Sequence, residues 1–196
     1  RVQIYRSASG LALDAAHIAH RFLQDTLARQ RQAAVILATG NSQAAFLDAL
    51  AGLGDLEWSR VILFHMDEYL GIDANHTASF RRYMRERVEQ RVKPRIFNYI
   101  QGDAALPLDE CARYTQLLEA QPIDLCCLGI GENGHLAFND PPYAEFNDPA
   151  WVKVIRLAEA SRRQQVGEGH FKSLAEVPTH AITLTIPALL SAKRVL

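Results

Sequence analysis

Few features of this chain point outward to large partners. There are three cysteines, two of them adjacent at Cys126-Cys127 and one alone at Cys111, and no CxxC pair. That excludes a zinc ribbon and a disulfide framework, and reads as three buried thiols in a reducing cytosol. No basic run is longer than two residues, as at Arg81-Arg82, and the net charge is −1. A nucleic-acid partner would need a stronger electrostatic footprint. No apolar stretch approaches the length of a membrane span. The N-terminus, Arg1-Val2-Gln3-Ile4-Tyr5-Arg6, lacks the charged-then-apolar layout of a signal peptide. It also lacks an initiator Met, as an incomplete chain would. There is no internal repeat, low-complexity segment or linker.

What is present is the balance of an ordinary soluble domain, 48% hydrophobic and 22% charged over 196 residues. That length supports one full core, so a single domain over 1–196 is expected. Leu11, Ala15, Ile18 and Phe22 share one helical face behind Ser9 as N-cap. Ala33 to Ala38 is a continuous apolar run, followed by Thr39-Gly40-Asn41-Ser42 and then by helical spacing at Ala45, Phe46, Ala49 and Leu50. Val61-Ile62-Leu63-Phe64 and Ile123 to Leu128 are two more such runs. Helices are expected from about 77 to 89 and from 108 to 120, and strands at 151–155 and 181–185. Pro141-Pro142 to Pro149 reads as a long loop and a candidate lid. Strands apolar throughout must be covered on both faces, so the class is α/β with a mostly parallel sheet and helices on both sides.

Ligands of such sheets bind at the carboxyl ends of the strands. Three strand ends here are polar, glycine-containing or acidic. At the first, a glycine turn opening a helix, with Thr39 and Ser42 hydroxyls, suits a phosphate; the alternative is a plain turn with a Ser cap. At the second, Asp67 and Glu68 follow directly on four apolar residues and His65-Met66. A carboxylate at such a strand mouth is partly desolvated, and its pKa rises toward that of a general base. His65 and Asp67 lack further ligands at metal spacing, so no metal is expected. The third end, Gly129-Ile130-Gly131-Glu132-Asn133-Gly134-His135, matches G-x-G-x-x-G. Pro141-Pro142 stops any helix too soon for a dinucleotide site, and no cofactor is expected. These glycines let the backbone wrap closely around a small ligand. His135, with Asp140 five residues on, is a proton-transfer arrangement. His17, His20, His170 and His180 read as capping or core histidines, and Phe46, Trp58 and Phe64 as packing.

Leu37 to Ser42, Phe64 to Gly71, Gly129 to Asp140 and Val177 to Leu190, in that order and spacing, resemble the glucosamine-6-phosphate deaminase/isomerase family. The resemblance spans nearly the whole chain, and Met66-Asp67-Glu68-Tyr69 with Gly134-His135-Leu136-Ala137-Phe138-Asn139 is its most specific part. It implies a Rossmann-like sheet, of the kind shared with ribose-5-phosphate isomerase and CoA-transferases, with neither dinucleotide nor metal. It implies a small sugar phosphate as partner and amino-sugar catabolism as setting, and is compatible with a homo-oligomer. In that family the aspartate matched by Asp67 moves a proton between C2 and C1. The histidine matched by His135 opens the ring. The loop matched by Thr39, Gly40, Asn41 and Ser42 holds phosphate, as does an arginine best matched by Arg162, with Arg163 its neighbour. Glu68 and Gly134 are expected at the substrate, and Asn133 and Asp140 beside the histidine. Deaminases usually carry Asp at Asn133 and Glu at Asp140. Asn cannot act as a base, so the histidine relay would rest on Asp140, one methylene shorter. The family's phosphate-binding lysine falls beyond Leu196, so the domain is expected to lack its C-terminal end. A sugar-lactone hydrolase of the 6-phosphogluconolactonase type, and a non-catalytic sugar-phosphate sensor, are the alternatives.

Overall fold

The structure is a computed structural model describing residues 2–131, 133–141, 143–167 and 169–196. Glu132 and Pro142, named in the sequence motifs above, lie outside the described residues. The elements run α1 (Ala8–Arg29), β1 (Ala33–Leu37), α2 (Asn41–Gly52), β2 (Val61–His65), β3 (Asp67–Tyr69), α3 (Phe80–Met84), α4 (Gln90–Val92), β4 (Ile96–Asn98), α5 (Pro107–Glu119), β5 (Leu125–Cys127), β6 (Val152–Arg156), α6 (Glu159–Gly167), β7 (His180–Leu184), α7 (Ile186–Leu190) and β8 (Arg194–Val195). A π turn, Arg85–Glu89, joins α3 to α4, so this is one helix with a bulge. It ends at Lys93 in the left-handed conformation, with Pro94 next.

The central sheet has the order β4-β2-β1-β5-β8, and every pairing is parallel. Its continuous apolar strands split by the pleat, because successive side chains point to opposite faces. Ala33, Val35, Leu37, Val61, Leu63, Leu125 and Cys127 pack with α1 and α2. Ala34, Ile36, Ile62, Phe64 and Cys126 pack on the other face with Tyr114 and Leu118 of α5 and with Ile182 and Leu184 of β7. Each face is thereby covered, which is what a strand with no polar side requires. The three cysteines are free and buried. No helix among the described residues is long and apolar enough to cross a membrane.

Three expectations change. Ser7, rather than Ser9, caps α1 by accepting from the N–H of Gly10. The buried stripe of α1 is Ala12, Ala16, Ala19, Leu23 and Leu27, one position round from the expected face, and Leu11 is exposed. Alanines on that stripe let α1 approach the sheet closely. The strands at 152–156 and 180–184 leave the parallel sheet. With β3 they form a separate antiparallel sheet of order β3-β7-β6. This small sheet lets Asp67 leave β2 and enter a second strand within two residues.

Candidate active site

β1, β2 and β5 run parallel, so their carboxyl ends deliver three segments to one edge of the sheet. Thr39, Gly40, Asn41 and Ser42, then Met66 and Asp67, then Gly129, Ile130, Gly131 and His135 line one cavity of about 280 Å³. Gly40 is the N-cap residue of α2 with φ +103, a conformation open to glycine, and no side chain caps the helix. The first N–H groups of α2 are therefore available at the cavity, and the helix dipole favours an anion there. Tyr83 donates its hydroxyl to the Gly40 carbonyl at 2.9 Å and steadies the turn.

Asp67 is the first residue of β3, paired with Thr183 of β7. Its carboxyl is 6 % exposed. Its Oδ1 has no hydrogen-bond partner among the described residues. Burial, and then the neighbouring Glu68 carboxylate, push its pKa up to about 8; His135 pulls the other way. An acid tuned to this range takes and returns a proton near neutrality.

His135 sits on a loop tied to the same strand. Thr183 accepts from the N–H of Phe138 at 3.2 Å, and Asn139 Nδ2 donates to the carbonyls of Leu136 and Leu184 at 2.8 Å each. Between them Ala137 holds φ +51, a left-handed conformation uncommon outside glycine. Behind the imidazole, Asn133 Oδ1 lies 2.6 Å and Asp140 Oδ1 3.1 Å from His135 Nδ1. Both are acceptors, so Nδ1 carries the hydrogen and Nε2 is the basic nitrogen. Asn133 Nδ2 donates to Asp140 Oδ1 at 2.8 Å, and Ser161 donates to Asp140 Oδ2 at 2.7 Å. Burial alone would raise the Asp140 carboxyl. Hydrogen bonds from His135, Asn133 and Ser161 outweigh it and hold the pKa down to about 2. Asp140 therefore stays ionised beneath the ring. Asn133 supplies no charge but bridges ring and carboxylate.

Several expected residues stand elsewhere. Glu68 is fully buried and faces away from the cavity. Its carboxylate accepts from the N–H groups of Tyr69, Phe80 and Arg81 and from the Ser79 hydroxyl, with Arg81 Nε at 3.4 Å. Burial nonetheless pushes its pKa up. Its work is to anchor the start of α3 to β3. Arg162 also misses the cavity: its Nη2 donates to the carbonyls of Leu174 and Val177. Arg163 is exposed and pairs with Glu159. Gly134 is a turn residue with φ +86 outside the cavity wall. Gly131 lines the wall, but its missing side chain serves His135 rather than a ligand, because a Cβ there would overlap the ring. His65 is buried and neutral. Burial and then Arg81 lower its pKa to about 3, and its Nε2 accepts from the N–H of Ile100, fixing the end of β4. No cluster of metal-ligating side chains occurs among the described residues.

Four wall residues were not assigned to the site by the sequence reading, Phe138 among them although its motif was recognised. Phe80 and Phe138 are part of an aromatic group around Tyr69. Gln164 and Gln165 come from α6, and His170, read as a core or capping residue, also lines the wall. The spacing of Ser161, Gln164 and Gln165 along one helical face was the available signal.

Residues 6–196 match the family model for glucosamine-6-phosphate isomerases/6-phosphogluconolactonase. The chain belongs to that family. It is 34% identical to a glucosamine-6-phosphate deaminase of Exiguobacterium sp. (strain AT1b) across 94% of this chain and 70% of that protein. It is 37% identical to one from Lysinibacillus sphaericus across 82% of this chain and 70% of that protein. A solved monomeric glucosamine-6-phosphate deaminase superposes with a TM-score of 0.91 at 28% identity, covering 100% of this chain and 80% of that one. A 6-phosphogluconolactonase from Shewanella baltica OS155 follows the same fold, with a TM-score of 0.76 at 18% identity across 97% and 77%. In this chain Asp67, His135 and the loop that opens α2 line one cavity.

Proposed function

We propose that this member of the family is a glucosamine-6-phosphate deaminase. It would convert glucosamine 6-phosphate and water into fructose 6-phosphate and ammonia. The observation that carries this is the buried Asp67 carboxyl, tuned to about 8, on the same cavity as the His135 relay and the open start of α2. The phosphate docks on the N–H groups at Asn41 and Ser42. His135 Nε2 takes the proton of the C1 hydroxyl as the ring opens and returns it to the ring oxygen, with ionised Asp140 steadying the imidazolium. Asp67 then removes the C2 proton and delivers it to C1, while one proton of the C2 ammonium passes to the aldehyde oxygen, so that C1 becomes a hydroxymethyl group and C2 an imine. The resulting C2 imine takes up water and releases ammonia, leaving the ketose. Each proton is returned, so both groups end as they began.

A lactone hydrolase would need His135 to activate water but no acid at C2. That reading leaves the desolvated Asp67 without a task, and the shared fold alone does not favour it. Ammonia release from glucosamine 6-phosphate, run beside hydrolysis of 6-phosphogluconolactone, decides between them. Ammonia without lactone hydrolysis is the expected outcome; the reverse overturns the assignment. Binding of sugar phosphate with neither turnover would mark a sensor.

A further inference from the structure

Helix α6 presents three polar side chains to the site. Ser161, Gln164 and Gln165 stand at i, i+3 and i+4, which places them along one stripe. Ser161 bonds Asp140, the partner of His135. Gln164 and Gln165 line the cavity. Tyr69, two residues after Asp67 on β3, donates its hydroxyl to Gln165 Oε1 at 2.7 Å. The helix is thus fastened at two points, one to each half of the proton-transfer machinery.

In this bond the Gln165 amide turns its Oε1 to the phenol. With Oε1 accepting from the phenol, Nε2 is the end left to donate to a second partner. Tyr69 itself is held rigidly. Its ring is fully buried among Phe80, Phe138 and Phe171. The described residues of the cavity wall include no lysine or arginine. An anionic, hydroxyl-rich ligand there is met by backbone N–H groups, hydroxyls, imidazoles and amides. In such a site the oriented amide is a principal source of directional hydrogen bonding. Arg162, one turn earlier on α6, is spent on the carbonyls of Leu174 and Val177.

We propose that Gln165 is a substrate-binding residue, its Nε2 donating to an oxygen of the bound sugar phosphate, and that Tyr69 is the positioning residue that orients it. This rests on the reading of the cavity as a sugar-phosphate site. Preorganisation by Tyr69 matters because an amide free to flip would present either end to the ligand and lose part of the bond's worth.

The test is calorimetric binding of fructose 6-phosphate to wild type, Gln165→Leu, Gln165→Glu, Tyr69→Phe and the Tyr69→Phe/Gln165→Leu double variant, with kcat and KM for ammonia release measured in parallel. Gln165→Leu should weaken binding roughly 3- to 10-fold, the worth of one neutral hydrogen bond. KM should rise in step while kcat stays within a few-fold. Gln165→Glu, which keeps the shape and adds an acid, should weaken it further. Tyr69→Phe should weaken binding by less, and the double variant should be no worse than Gln165→Leu, because the phenol acts only through the amide. Wild-type affinity in Gln165→Leu or Gln165→Glu would overturn the inference while leaving the deaminase reading intact. So would a double variant whose loss is the product of the two single losses. A wild type that binds no sugar phosphate would overturn both.

Discussion

Replacing Asp67 by asparagine should make this protein more stable at high pH and nearly inactive. The carboxyl is 6 % exposed and burial, then Glu68, push its pKa from 3.8 up to about 8. In the unfolded chain it ionises near the lower value. Between the two, the unfolded chain has released a proton that the folded chain still holds, so stability falls as pH rises and levels off above about 8. The favourable contribution is complete below the unfolded value and is lost as pH passes through the folded one. At about 1.4 kcal/mol per pH unit, the loss between pH 5 and pH 9 is on the order of 4 kcal/mol. Asp67→Asn keeps the shape and removes the titration. Urea unfolding of both proteins at pH 5 and pH 9 isolates the effect of Asp67 and its coupling to Glu68 and His135, because the titrating groups that do not interact with it contribute equally to both and cancel in the difference. The variant should gain on the order of 4 kcal/mol relative to wild type between the two pH values. The same exchange should cut ammonia release by about 10²- to 10⁴-fold. A stability difference that is the same at both pH values would refute the reasoning, since the carboxylate would then not be the strained group.

Gly131→Ala should act on His135 rather than on binding. The new Cβ overlaps Cε1, Nε2 and Nδ1 of the ring, so kcat should fall about 10²-fold with sugar-phosphate affinity changed only a few-fold; an unaltered kcat would show that the ring needs no such seat. Glu68→Gln turns one of the two carboxylate oxygens that accept from three backbone N–H groups and Ser79 into a donor, at about 2–4 kcal/mol by urea unfolding. It also removes the second cause of the raised Asp67 pKa, so the rising limb of kcat/KM should move to lower pH; a limb that stays put would sever the electrostatic link. The cysteines should resist thiol reagents at pH 8 until the chain unfolds, because burial pushes Cys111 up to about 11 and Cys126 up to about 12. Rapid labelling of the native protein would contradict that packing.

The parallel sheet and its three polar strand ends were legible because they are local events. An apolar run of β1 or β2 followed by glycine, Asp67 or His135 announces both strand and mouth. The second sheet was not legible. Val152 to Arg156 and His180 to Leu184 look like any half-buried strands, and nothing in their own sequence says that they pair antiparallel with Asp67–Tyr69. The fate of Arg162 was illegible for a related reason. Its neighbours on α6 suggest an outward or cavity-facing cation, but the carbonyls of Leu174 and Val177 that claim it come from a loop twelve and fifteen residues on. Glu68 misled in the opposite sense. An acid beside Asp67 reads as part of the chemistry, whereas three backbone N–H groups and a serine are what its carboxylate satisfies. Asn133 was legible as a departure from the family pattern, but not its bridging role, which depends on a loop bend that brings Asp140 back under the ring.

The arrangement of Asp67 and His135, the two groups proposed to transfer protons, follows from one strand. β7 pairs with β3, which fixes the backbone of Asp67, and through Thr183 and the Leu184 carbonyl it also holds the His135 loop. A base and a histidine carried on separate loops would each sample their own range of positions, and their separation would vary by the sum. Here both are referenced to Thr183 and Leu184, buried neighbours on one strand, of which Leu184 packs under the central sheet. Displacing that strand would move the two together rather than apart. The small antiparallel sheet therefore does for this site what the parallel sheet cannot. A β–loop connection at a carboxyl edge delivers residues to a common region, but a shared strand sets the distance between them, as the proposed passage of one substrate from ring opening to C2 proton transfer requires.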